Sequence, residues 1–156
     1  MAYIDPDYID DMLGSDVRTG LFTDDGVYNT TGEAKLADSA TARVRTALSV
    51  AGYSPPTDAE MVAFLAGTEA QKGEANTIQM ACLGVWIDYA YSRKQQPIPA
   101  QHEAKLDQLK MIEEGEIQFD ALSYSSEAGI GGIKSSETSP TVSKNKAQIF
   151  NRDMGR

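Results

Sequence analysis

The chain predicts an all-α fold: a small helical bundle of about four to five helices that continues into a long extended C-terminal arm. Three observations predict it. Apolar residues recur at helical spacing through much of residues 33–114. Proline and glycine punctuate these stretches at short intervals, so the connections are short and neighbouring helices pack against one another. The last 34 residues, 123–156, lack such periodicity and are rich in Ser, Gly and Thr. The chain therefore divides into a body, residues 1–122, and an arm, residues 123–156.

The elements follow in order. A short helix is expected near residues 5–13, with Asp5 as its cap, Pro6 at the first helical position and Gly14 as its end. Residues 15–32 carry Asp-Asp-Gly and Asn-Thr-Thr-Gly turn signals and read as loop, with brief extended contacts at Leu21, Phe22, Val27 and Tyr28. The next helix spans about 33–51, where Leu36, Ala40, Val44 and Leu48 recur every four residues and Arg43 and Arg45 face elsewhere. The Gly52-Tyr53-Ser54-Pro55-Pro56 run stops it.

Thr57 and Glu60 form a capping-box pair that starts a third helix. Met61, Val62, Phe64 and Leu65 are its apolar positions, and Gly67 closes it. A fourth helix, about 74–93, is apolar on more than one side. Ile78, Cys82, Val85 and Tyr89 lie on one stripe, and Met80, Leu83, Ile87 and Tyr91 on another. Such a helix belongs at the centre of a bundle, with Trp86 in the core and its indole N–H in need of a partner. Pro97 and Pro99 break the chain before a fifth helix, about 99–114, with Leu106, Leu109 and Ile112 on a sparse apolar face. Gly115 ends it, and Ile117, Phe119 and Leu122 alternate in a short extended segment. A minor β-hairpin fits near either edge.

Composition bounds the function. The net charge of −9 argues against general nucleic-acid binding, which runs on phosphate neutralisation. The charge is also uneven. Residues 1–31 hold seven acids against Arg18 alone, whereas the arm holds Lys134, Lys144, Lys146, Arg152 and Arg156 against three acids. The arm is thus +2 and the body −11, which favours head-to-tail contact between copies or an arm folded back on its own body. No run approaches the roughly 20 apolar residues of a membrane span. The N-terminus shows neither a basic nor an apolar leader region, so no signal peptide is expected. The single cysteine, Cys82, fits a reducing compartment.

Candidate chemistry is thin. His102, the only histidine, has no nucleophile motif near it and reads as a surface residue. Asp5, Asp7, Asp10 and Asp11 lack the alternating ligands and central glycine of a calcium loop; helix-start acids, favoured by the helix dipole, account for most of the run. Gly129-Ile130-Gly131-Gly132-Ile133-Lys134-Ser135 fails as a phosphate loop because Ile133 stands where glycine must precede the lysine. Cys82 reads as a small core residue, and Trp86, Tyr89 and Tyr91 as core packing. No metal, no cofactor and no catalytic residue is expected. The arm, by contrast, closes on Ile149-Phe150-Asn151-Arg152-Asp153-Met154, an apolar and charged tip worth burying on a partner.

The arrangement resembles the head–tail adaptor (connector) proteins of tailed bacteriophages, Mu-like forms among them. Tyr3-Ile4-Asp5-Pro6-Asp7-Tyr8-Ile9 is similar to that family's first short helix. The Ala-rich helix that exits through Gly52-Tyr53-Ser54-Pro55-Pro56 is similar to its second, and Ala81-Cys82-Leu83-Gly84-Val85-Trp86 to its central buried helix. Leu109 to Ile117 resembles the segment before its tail, and the tip from Ile149 to Met154 resembles its terminal motif. The chain departs from the pattern in an added helix at 57–67 and in lacking an arginine–tyrosine pair before the proline exit. The resemblance implies a non-enzymatic ring, commonly of twelve copies, under the portal protein at the capsid vertex. Such a ring lengthens the channel through which DNA passes without sequence-specific binding, and gives stopper or tail proteins a docking face. The implied location is the neck of the virion, after synthesis in the host cytoplasm. Ile149, Phe150, Arg152, Asp153 and Met154 are then the residues that bind portal or neighbouring subunit. A different class stays open beside it: a small acidic helical binding or regulatory module that masks a basic partner.

Overall fold

Six helices and one two-stranded hairpin make up residues 2–125, the part that this computed structural model describes. They are α1 (Pro6–Leu13), α2 (Ser15–Phe22), β1 (Thr23–Asp24), β2 (Val27–Tyr28), α3 (Thr30–Val50), α4 (Asp58–Leu65), α5 (Glu69–Lys94) and α6 (Ala100–Glu113). The fold is helical, as the periodicity implies. The glycine-rich segment 129–135 and the tip residues Ile149, Phe150, Arg152, Asp153 and Met154 lie outside the described residues.

Helix α5 is the axis of the molecule. It is 26 residues long, about 39 Å at 1.5 Å per residue, and packs against α2, α3, α4 and α6. Ile78, Ala81, Cys82, Leu83, Trp86, Ile87 and Ala90 are fully buried, so several of its faces are covered. It starts five residues before the expected Glu74. Thr68 accepts from the Gln71 amide while the Gln71 side chain accepts from the Thr68 amide, a capping box that moves the start to Glu69. Trp86 lies 5.4 Å from Phe22, ring to ring. Its indole N–H has no hydrogen-bond partner among the described residues, contrary to the expectation that one would be found.

The main correction lies at residues 15–22. They form α2 rather than loop. Gly20 and the β-branched Val17 and Thr19 give this stretch poor intrinsic helicity, and tertiary contacts override it. Phe22 and Leu21 are buried, the Leu21 carbonyl accepts from Arg93 at 2.9 Å, and the Arg93 guanidinium lies 5.3 Å from the Phe22 ring centre. Gly14 joins α1 to α2 at φ +90, open to glycine at little cost. The Asp-Asp-Gly signal did mark a turn. Asp25 and Gly26 both take positive φ, the two-residue geometry that closes a tight hairpin, with Thr23 opposite Tyr28 and Asp24 opposite Val27.

A second correction concerns His102. It is buried, not at the surface, in the first turn of α6 against Tyr91, with ring centres 6.4 Å apart. Helix α6 has few apolar residues to present to α5, and the imidazole fills part of that face. Burial, then the nearby Lys105 charge, lowers its pKa. A third difference is α4. Met61 is buried, but Val62 is 61% exposed and Leu65 37%, so its other apolar positions are not all core.

The expected extended segment after Gly115 is irregular, yet Phe119 and Leu122 are buried as core. The Glu74 carboxylate accepts from the Asp120 and Ala121 amides at 2.7 and 3.0 Å. The Tyr53 hydroxyl accepts from the Phe119 amide at 3.2 Å, and Tyr53 stacks on Tyr124. Ser54 donates to Ser123 and Ser125 to Gly52, so pairing with the α3 exit carries the fold through Ser125.

Helices α5 and α6 approach closely at Gly84. A Cβ there would stand 2.1 Å from the Lys105 carbonyl oxygen, a backbone atom of α6. Gly73, on the same helix, faces open space. Gly84→Ala is expected to cost about 3 kcal/mol by pushing α6 off α5, whereas Gly73→Ala gains about 0.5 to 1 kcal/mol from helix propensity. Denaturant unfolding of both variants checks this; equal stabilities would show that α5 and α6 are not packed this closely.

Candidate functional site

A groove of about 510 Å³ is bounded by the N-terminal segment, the start of α3 and helix α4. Tyr3 shapes it. Its amide donates to Thr41 at 2.9 Å, and its carbonyl accepts from Gln79 at 3.0 Å. Its hydroxyl donates to the Pro56 carbonyl and accepts from Arg45 Nε, whose guanidinium also sits 4.9 Å from the ring centre. Arg45 then reaches Asp58 at 2.9 Å. Segment 2–5 is thereby fastened across α3 and α5, with Ile4 and Ile9 buried behind it.

One end of the groove is polar. Arg18 grips Asp10 with two donors, at 2.6 and 2.9 Å, and Glu33 with Nη1 at 3.1 and 3.2 Å. The Tyr28 hydroxyl donates to Glu33, and Arg18 lies 5.7 Å from the Tyr28 ring centre. Glu33 is buried at 5% exposure, so this fork answers a charge that would otherwise be costly to bury. The Arg18 contact holds the Asp10 carboxyl below the usual range. Burial, and then the Glu33 hydrogen bond, push the Tyr28 phenol up to about 12. The other end is apolar: Met61 forms floor, and Val62 and Leu65 form an open lip.

The reactive side chains that the sequence offers do not converge on the groove. Cys82 is fully buried against Thr41 at 3.5 Å, and burial pushes its thiol up to about 12, so the nucleophilic thiolate is suppressed. His102 sits by Tyr91, nine residues along α5 from Cys82, or about 13 Å of helix axis. The structure therefore does not assemble them. Asp5 caps α1 by accepting from the Tyr8 amide at 2.8 Å, and Asp10 serves Arg18. Among the described residues no cluster of three His, Cys, Asp or Glu has metal-site geometry, and no helix is long and apolar enough to cross a membrane.

Sequence reasoning missed the groove and its polar end. The one visible signal was Arg18, a lone base among seven acids in residues 1–31. The fold is that of a small acidic helical protein whose groove has an apolar lip and carboxylates in its lining. No family model, curated protein or solved structure matches the chain.

Arg18→Met strands the buried Glu33 carboxylate and is expected to cost about 3 kcal/mol. Adding Glu33→Gln removes the stranded charge and recovers a large part of that loss. Additive losses in the double variant, measured by thermal and denaturant unfolding, would contradict the pairing.

Proposed function

We propose that this protein is a non-enzymatic structural adaptor of a tailed-phage virion neck, a homo-oligomeric ring seated on the portal protein and presenting a docking face to stopper or tail proteins. The observation that carries the reading is the pairing of a helical acidic body with a basic arm whose tip, Ile149-Phe150-Asn151-Arg152-Asp153-Met154, resembles the terminal motif of that family. The body's charge of −11 suits a channel wall that passes DNA without holding it, because like charges repel. Helix α5 is covered by other helices of its own chain. The arm is then available as the connecting element, with Ile149, Phe150 and Met154 as apolar anchors and Arg152 as the partner of a carboxylate. Twelve arms on one ring would multiply a modest affinity per arm.

The carboxylate-lined groove favours a second reading, an acidic binding module that masks a basic partner. A monomer that forms a one-to-one complex with such a partner, and does not join portal rings, is its signature.

Removal of residues 145–156 is expected to leave the helical circular dichroism unchanged while abolishing attachment to isolated portal rings, read by co-sedimentation and by electron microscopy of capsid vertices. Normal portal binding by the truncated chain would refute the adaptor role assigned to the tip.

A further inference from the structure

The groove beside α4 has an exposed apolar lip, and the same chain carries a segment of matching chemistry. Met61 and Ile9 are buried in it, while Val62 and Leu65 stand open at its edge. Apolar area of this kind, next to a formed cavity, marks a contact surface rather than scattered surface residues. Its volume falls within the roughly 300–1,000 Å³ of pockets that enclose a compact ligand, enough for a few side chains. The residues that line it include four carboxylates, Asp5, Glu33, Asp38 and Asp58, against one guanidinium, Arg18. Arg18 neutralises Glu33, and Arg45 reaches Asp58 from outside the lining. Asp38 and Asp5 keep the rim acidic.

The tip supplies the complement. Ile149, Phe150 and Met154 are apolar, and Lys144, Lys146, Arg152 and Arg156 surround them against Asp153 alone. Geometry selects the source. Ser125, the last described residue, donates its amide to Gly52 just past the end of α3. Asp38, on the groove wall, lies twelve residues before the end of α3, about 18 Å along the helix axis. Between Ser125 and Ile149 stand 23 residues. A linker of 23 residues can reach at most about 80 Å when fully extended, so the groove lies well within its reach. A tether that reaches makes docking intramolecular, with effective concentrations up to the order of millimolar.

We infer that the groove formed by residues 2–9, the first turns of α3 and helix α4 is an intramolecular dock for the chain's own tip, with Ile149 and Phe150 against Val62 and Leu65 and Arg152 toward Asp38. The dock stores the tip until a stronger partner surface competes for it. The inference stands on the protein alone, so its test involves no portal and its failure leaves the adaptor reading untouched.

The test compares backbone amide spectra of the full chain with those of the full-length I149D/F150D variant, whose changes lie outside residues 2–125. Amide shifts are expected to move at Ala34, Asp38, Val62 and Leu65, to be independent of protein concentration, and to leave α6 unchanged. The reciprocal Val62→Asp is expected to move the amides of Phe150 and Met154. Groove amides that do not respond would overturn the dock. Responses that grow with protein concentration would overturn it too, by assigning the groove to the tip of a second copy.

Discussion

Burial of α5 on several faces is the constraint on which the other elements depend. A helix with fully buried Ile78, Leu83, Trp86 and Ile87 cannot rest on one partner. It must be wrapped, and the remaining helices are the wrapping. Three of them, α1, α2 and α4, have eight residues each, too short to persist alone in water. Their stability comes from contact with the bundle, as α2 illustrates: Phe22 on Trp86, and Arg93 and Lys94 of α5 holding Leu21, Thr23 and Asp24. The same closeness explains Gly84, where α6 backbone occupies the space of a side chain. It also leaves the Trp86 indole N–H without a partner among the described residues, a cost of about 1–3 kcal/mol that the packing must exceed.

Around this core lies a second layer held by charge and aromatic contact. Tyr3, Arg45 and Asp58 fasten the N-terminal segment, and Arg18 joins α1, α2 and α3 through Asp10 and Glu33. The groove is the gap that these two clamps leave open beside α4. Its apolar lip and acidic rim follow from that placement. Helix α4 is fixed by Met61, by Phe64 packed partly against the core and by its capping box, while Val62 and Leu65 are turned outward.

The helices with strong local signals were legible in the sequence. Asp5 and Gly14 bound α1, Thr57 and Glu60 start α4, the four-residue recurrence from Leu36 to Leu48 places α3, and two apolar stripes mark α5 as central. What was not legible depended on partners distant in the chain. Residues 15–22 hold turn formers and a glycine, and only Arg93, Glu33 and Trp86 make them a helix. His102 reads as a surface residue until α6 is laid on Tyr91. The groove has no local signature, because its walls come from residues 2–9, 30–38 and 58–65. Arg18, isolated among acids, was the single hint of its polar end.

Native-state amide hydrogen exchange tests the central role of α5 most directly. If the bundle is organised around that helix, the amides of Ile78 to Tyr91 exchange only through global unfolding, with opening free energies equal to the denaturant value, while α4 opens at lower free energy. Amides of α5 that exchange as readily as those of α4 would contradict the account.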